Sequence, residues 1–242
     1  MATPVYDDKG HCPICDRRTR FVALTPAFRD QLVCADCPRQ SSLPRERALM
    51  LSLRRHAPDW RSLRVHESSP AESGVSLILK EQCAGYVPTQ FMPDVALGAS
   101  ANGVRCESLE ALTFADASFD LVVVQDVLEH LFQPDEAMRE IARTLAPGGV
   151  ALLTTPTAHQ IEMSFRAAER APDGSVRHLV PPEYHGNPID PNGSLVTWHF
   201  GDDLIELMGM WSGLDVVAER YHDRTHGVLG PMTDVYVCRK SA

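Results

Sequence analysis

Long apolar runs are missing from this chain of 242 residues. No stretch approaches the roughly eighteen consecutive apolar residues of a membrane-spanning helix, so no span is expected. Residues 1–15, MATPVYDDKGHCPIC, lack the basic-then-apolar pattern of a secretory leader. A cytoplasmic protein with reduced thiols is the expectation. Positive charge is also short, with 23 Lys and Arg against 32 Asp and Glu and a net charge of −9. The deficit is uneven. Residues 1–64 hold 12 Lys and Arg against 7 Asp and Glu, a local +5, and the remainder holds 11 against 25, a local −14. A basic end on an acidic body could grip nucleic acid or an acidic partner, but the body would repel phosphates. A solvated, Arg-rich surface is the favoured reading. Apolar residues are not scarce: at 44% they can fill the core of one α/β domain with a small extra module.

Three of the seven cysteines, Cys83, Cys106 and Cys238, lack a partner at any ligand spacing and read as buried small hydrophobes. The other four do not. Cys12-Pro-Ile-Cys15 and Cys34-Ala-Asp-Cys37 are two knuckles of the form C-x2-C, with residues 16–33 between them. Zinc takes four tetrahedral ligands and favours thiolates, and this spacing falls in the zinc-ribbon range. Structural zinc on Cys12, Cys15, Cys34 and Cys37 is expected, with no open position for chemistry. Arg20–Leu24 and Gln31–Val33 read as short strands between the knuckles. Ser42-Leu43-Pro44-Arg45 opens a helix whose apolar stripe is Ala48, Leu49, Leu51 and Leu53, ending at Pro58. Residues 1–58 thus form a zinc module with a linking helix that packs it onto the domain of residues 59–242. The module serves either as a lid over substrate or as a metal-stapled extension.

Residues 118–156 carry the most information. Phe119–Val124 is a short apolar run rich in β-branched residues, suited to a strand buried on both faces. Gln125-Asp126 and Glu129-His130 follow. Pro134, Asp135 and Glu136 suit a helix start, where the dipole is positive. Ala137, Ile141 and Leu145 recur at helical spacing, Pro147-Gly148-Gly149 stops the helix, and Val150–Thr155 resumes a strand. This is one βαβ unit of a parallel sheet, with Gln125-Asp126 at the strand end where such sheets bind ligands.

Phe119-Asp120, Leu128-Glu129-His130 and Leu145-Ala146-Pro147-Gly148-Gly149, in this order and spacing, resemble the class I S-adenosylmethionine-dependent methyltransferases of type 11. The resemblance covers about residues 60–240, most specifically 104–156. It implies an α/β, doubly wound, Rossmann-like sheet, mostly parallel with an antiparallel last strand. Leu214–Val217 and Val235–Cys238 match the closing antiparallel pair. It also implies S-adenosylmethionine as cofactor.

The loop after the first strand departs from the family's Gly-rich pattern. Glu67 holds the acidic position, but Ser68, Ser69, Pro70 and Ala71 stand where glycines let the backbone approach the cofactor, and only Gly74 follows. A proline fixes φ and removes a donor, so this loop takes another shape. By resemblance, Gln90, at the end of the strand expected over Gly85–Phe91, replaces the usual ribose-binding acid, with Asp94 beyond it. Glu107, Ser108 and Leu109 border the adenine, and Gln125 and Asp126 line the methionine end. All departures run toward fewer charges and fewer glycines, and predict altered cofactor binding.

On the acceptor side, His130 is a candidate base or network residue. The segment from Thr157 to Trp198 is long for a connection and reads as a cap. Within it, residues 181–190 gather Glu183, Tyr184, His185 and Asn187 among turn formers. His185 and Tyr184, with Arg166, are the acceptor-side candidates. The leading expectation is methyl transfer to a small-molecule or saccharide acceptor. The alternatives are methylation of RNA, transfer of an aminocarboxypropyl group from the same cofactor, and a non-catalytic protein with a degenerate cofactor pocket.

Overall fold

A computed structural model describes residues 3–37, 42–187 and 190–242. Chain order begins with β1 (Tyr6–Cys12), β2 (Arg17–Ala23), α1 (Phe28–Gln31) and β3 (Val33–Cys34), whose three strands form one antiparallel sheet. Helix α2 (Pro44–His56) follows, then β4 (Arg64–Ser68), α3 (Gly74–Gln82), β5 (Gly85–Gln90), β6 (Ser100–Ala101), β7 (Val104–Cys106), β8 (Phe119–Gln125), α4 (Pro134–Thr144) and β9 (Leu145–Thr154). Three short ribbons come next. They pair β10 (Phe165–Arg166) with β15 (Trp198–His199), β11 (Ala168–Arg170) with β12 (Val176–His178), and β13 (Tyr184–His185) with β14 (Ser194–Leu195). Helix α5 (Leu204–Ser212), β16 (Asp215–Glu219) and β17 (Val235–Arg239) complete the chain.

The main sheet has eight strands in the order β16-β17-β9-β8-β4-β5-β7-β6. Neighbours from β9 to β7 run parallel, whereas β17 lies antiparallel to β9 and to β16. The mostly parallel sheet with its antiparallel closing pair is the expected architecture. The β6 edge strand, antiparallel to β7, was not anticipated. No helix among the described residues is long and apolar enough to cross a membrane.

Strand β8 shows why the apolar run had no polar alternation. Leu121 and Val123 enter one buried cluster with Val65, Leu152 and Val237, while Val122 and Val124 enter another with Ala151, Leu153 and Tyr236. Successive side chains point to opposite faces, and both faces are covered. Leu49, Leu53 and Trp60 cover the first face, and Ala137, Met138, Ile141, Leu204 and Met208 cover the second. The first cluster also takes in Phe21, Ala23 and Leu32 from the Cys-bearing segment, so one core runs from that segment into the sheet.

Three local expectations are corrected. Gln31 closes a helical turn rather than opening a strand, because Pro26 and Ala27 carbonyls already accept N–H groups in turn geometry. Helix α4 ends at Thr144, and Leu145 belongs to β9, still fully buried. The Pro147-Gly148-Gly149 stop therefore falls within β9, at the register shift between Phe119↔Leu145 and Leu121↔Val150.

Candidate functional site

The carboxyl ends of β4, β5, β7 and β8 lie side by side, with Ser68 opposite both Thr89 and Val124, and Gln90 opposite Cys106. Ser68, Ser69, Gln90, Ser108, Gln125 and Asp126 thus share one rim. Glu67 lies beneath it, fully buried. It accepts hydrogen bonds from Ser76 Oγ (2.6 Å), Tyr86 Oη (2.6 Å) and Gln125 Nε2 (2.7 Å). Burial raises its pKa despite these donors. Both carboxylate oxygens are engaged by side chains inside the protein, so Glu67 ties the rim residue Gln125 to α3 and β5.

The loop that lacks glycines is folded by other means. Ser69 adopts φ +52° and donates its N–H to Thr89 O at 2.8 Å. Gly74 has φ +52°, and a Cβ there would lie 2.4 Å from Glu46 Oε1. Ser73 Oγ donates to that same Glu46 oxygen at 2.5 Å. Glu46 also caps α2 by accepting from Leu43 N at 2.7 Å. The loop is therefore pinned to α2 rather than supported by its own glycines.

Glu107 is also turned inward. It is 1% exposed, pairs with Arg105 Nε at 2.7 Å, and accepts from Thr113 N and Oγ1. Leu109 is buried, and the half-buried Ser108 caps the turn by accepting from Glu110 N. Gln90 is half-buried at the rim, with Nε2 3.4 Å from Phe91 O.

Asp126 holds φ +49°, a conformation uncommon for a residue with a side chain. Thr154 Oγ1 donates to its Oδ1 at 3.0 Å. Its Oδ2 meets two guanidiniums from the N-terminal segment, Arg29 Nη2 at 3.1 Å and Arg45 Nε at 3.0 Å. These arginines were not predicted as site residues. The only signal was the +5 charge of residues 1–64, and charge alone does not reveal which arginine reaches across to the sheet.

Beyond the ends of β8 and β9 lies a cavity of about 180 Å³, lined by Arg29, Glu129, Glu183, His185, Trp198 and His199 among others. The ribbons close it. Thr197 N donates to Glu129 O at 2.8 Å, and Thr197 Oγ1 donates to Leu131 O at 2.6 Å, tying β15 to the segment after β8. His185 sits with Nδ1 3.8 Å from Glu129 Oε1 and Nε2 3.1 Å from Glu183 Oε1. Glu129 and Glu183 hold the imidazole pKa above its ordinary value, against partial burial. His130 packs edge-on against His185, with ring centroids 5.2 Å apart.

The structure thus brings together His130 and His185, two candidates that the sequence placed in separate segments. Tyr184 is not with them: it is 54% exposed and does not line the cavity. Alternation of side chains along extended backbone explains this, since Glu183, just before β13, and His185 both line the cavity while Tyr184 between them takes the other side. Arg166 stacks over the Trp198 ring at 5.0 Å.

The four knuckle thiols, Cys12, Cys15, Cys34 and Cys37, lie within 4.8 Å of one another, with Cys15 and Cys34 Sγ 3.9 Å apart. Sulfurs around one tetrahedral zinc, at about 2.3 Å each, sit about 3.8 Å apart, so the donor set and spacing fit that ion. Cys83, Cys106 and Cys238 are buried apart from this cluster.

Residues 76–153 match the family described as a methyltransferase domain. The chain is similar to the ubiquinone biosynthesis O-methyltransferase of Sinorhizobium fredii, 31% identical over 126 residues, covering 48% of this chain and 51% of that protein. It is 30% identical over 129 residues to the protein of the same name from a Caulobacter strain, covering 46% and 47%. The chain thus matches these curated relatives over about half their length. In fold it is similar to an S-adenosylmethionine-dependent methyltransferase from Mesorhizobium loti. The TM-score is 0.52 at 16% identity, over 80% of this chain and 98% of that one.

Proposed function

We propose that the chain is an S-adenosylmethionine-dependent methyltransferase acting on a small-molecule hydroxyl acceptor, with a structural zinc ion on Cys12, Cys15, Cys34 and Cys37. The observation that carries this reading is the junction at Arg29. This residue pairs with Asp126 on the cofactor rim and also lines the cavity beside Glu129 and His185. A cofactor on the rim and an acceptor in the cavity would then be neighbours.

In this reading the cofactor supplies an activated methyl group, and the protein supplies position and dryness. Ser68, Ser69, Gln90, Ser108, Leu109, Gln125 and Asp126 form the cofactor rim, with Glu67 and Glu107 shaping it from below. The guanidiniums of Arg29 and Arg45 bridge two carboxylates, the half-buried Asp126 and the exposed Asp30, and exchanging the exposed Asp30 for the methionine carboxylate of the cofactor would keep both arginines paired. The apolar walls Trp198, Phe200 and Val196 suit a planar acceptor better than a saccharide. Residues 1–58 act with residues 59–242, since Arg29, Arg45 and Glu46 all meet the cofactor side of the sheet.

Calorimetric titration with S-adenosylmethionine and with its demethylated product tests the reading. Micromolar or tighter binding of both is expected. Absence of binding in zinc-replete protein would reject it in favour of a degenerate pocket.

A further inference from the structure

Glu129 presents an anomaly. It is 2% exposed, and Thr155 Oγ1 donates to its Oε2 at 2.9 Å, yet its Oε1 is buried without a hydrogen-bond partner among the described residues. An unpaired buried carboxylate oxygen is costly, and such an atom calls for an explanation. Two imidazoles face it: His130 Nε2 at 3.7 Å and His185 Nδ1 at 3.8 Å, both too long for hydrogen bonds. All three atoms lie within 4.8 Å of one another.

The opposite ring nitrogens are both engaged. His130 Nδ1 lies 2.9 Å from Leu195 O, an acceptor only, so that nitrogen carries the proton and Nε2 offers a lone pair toward Glu129. His185 Nε2 lies 3.1 Å from Glu183 Oε1, which orients its Nδ1 lone pair to the same point. One imidazole held by a backbone carbonyl and one by a carboxylate is the outer arrangement that metal-binding histidines use. Donors bound to one ion at about 2.1 Å sit about 3.0–3.4 Å apart, so the two observed Glu129 separations need close by only a fraction of an ångström.

We propose that Glu129, His130 and His185 bind one divalent first-row transition-metal ion, separate from the four-cysteine cluster, and that this ion receives the acceptor's hydroxyl oxygen. Two imidazoles and one carboxylate leave open positions and favour such ions over the softer metals that thiolates select. The cavity reaches the cluster through Glu129 and His185 and presents Trp198, whose buried Nε1 also has no partner among the described residues, beside His199. An acceptor there would place a hydroxyl on the ion and its ring against Trp198.

The second half of the proposal rests on the methyltransferase reading. The ion polarises the hydroxyl and its proton leaves to solvent or to His199. The oxygen forms a bond to the methyl carbon as the carbon–sulfur bond breaks, and that electron pair returns to sulfur, leaving a neutral thioether. No electron is gained or lost by the ion.

The test uses full-length, zinc-replete protein titrated with Co²⁺, followed by visible absorption, and with Mn²⁺, followed by electron paramagnetic resonance. Binding of one further ion per chain, without thiolate charge-transfer bands, is the expected result. His185→Ala and Glu129→Gln should each weaken it by more than about a hundredfold, and Glu183→Gln, which removes only the orienting carboxylate, by about tenfold. His226→Ala, outside the cavity, should leave it unchanged. Saturable binding of neither ion, or equal binding by wild type, His185→Ala and Glu129→Gln, would overturn the proposal. Titration of the same samples with the demethylated cofactor separates the two readings. Cofactor binding without the ion rejects only the metal site, and ion binding without the cofactor rejects the acceptor half with the methyltransferase reading.

Discussion

His66 is fully buried in β4, stacked on Phe119 at 5.1 Å and edge-on to Phe114, with Nε2 2.9 Å from Thr89 Oγ1 and Nδ1 unpaired among the described residues. Burial lowers its pKa to about 4, with Glu107 opposing and Arg105 assisting. The folded state thus rejects a proton that the unfolded chain accepts near pH 6.5. Stability should be full above about pH 6.5 and fall as pH drops toward 4, by up to about 3 kcal/mol. Urea unfolding across this window should show the slope in wild type and a smaller one in His66→Gln; equal slopes would assign the loss to other groups. Asp126 invites a second test. Arg29→Ala and Arg45→Ala should each weaken binding of the demethylated cofactor about tenfold, or about 1.4 kcal/mol, measured by calorimetry at low salt. The positions along the carboxyl rim of the sheet were legible because motif spacing and strand ends locate them. Arg29 and Arg45 were not, because nothing local to residues 28–45 encodes contact with a carboxylate as distant in the chain as Asp126. Tyr184 and His185 were legible as a pair but not as opposite faces, since a two-residue strand leaves no periodicity to read.

Helix α2 is held at its C-terminal end by one carboxylate from β16. Glu219 accepts from Ser52 Oγ and Tyr221 Oη and lies 2.6 Å from Arg55 Nη1 and 2.9 Å from His56 Nε2. Burial alone would raise its pKa, but these partners win and leave it at about 2. A depressed carboxylate contributes fully above its unfolded value near 4.5, and its contribution is lost as pH falls through 2. Glu219→Gln should therefore lose about 2 kcal/mol at pH 7 and approach wild type near pH 2, as read by chemical unfolding. Elements of this length were the most legible part of the chain. Strand β8 declared itself by a β-branched run, α2 by Pro44 and its apolar stripe, and β16 with β17 by their turn-rich spacer. The ribbons of residues 165–199 were legible only as a long connection. Their strands span two or three residues, and their pairing depends on Thr197 and the backbone of Glu129 and Leu131 rather than on local pattern.

At the scale of the whole molecule, the four-cysteine segment and the sheet share one buried cluster, and the join is polar as well as apolar. Arg47 is fully buried between them. It donates to Gly227 O through Nε at 3.2 Å and Nη2 at 2.7 Å, to Leu32 O at 2.9 Å, and to Ser42 O. Burial brings its pKa down to about 10, so it remains charged at neutral pH. Replacing a knuckle cysteine should therefore disturb more than the segment that carries it. Leu32 and Ser42 carry backbone acceptors for Arg47, and Arg29, Arg45 and Glu46 reach Asp126 and the Ser73-Gly74 loop from the same stretch of chain. Cys34→Ser is expected to leave less than one zinc per chain by metal analysis, lower the melting temperature, and weaken binding of the demethylated cofactor by about tenfold or more. An independent appendage would behave differently, with zinc lost while the main unfolding transition and cofactor affinity stayed unchanged. Calorimetry on Cys34→Ser, paired with Arg29→Ala in zinc-replete protein, separates the two contributions. If both variants lose affinity but only Cys34→Ser loses melting temperature, the metal acts on the cofactor rim by holding the arginines in place.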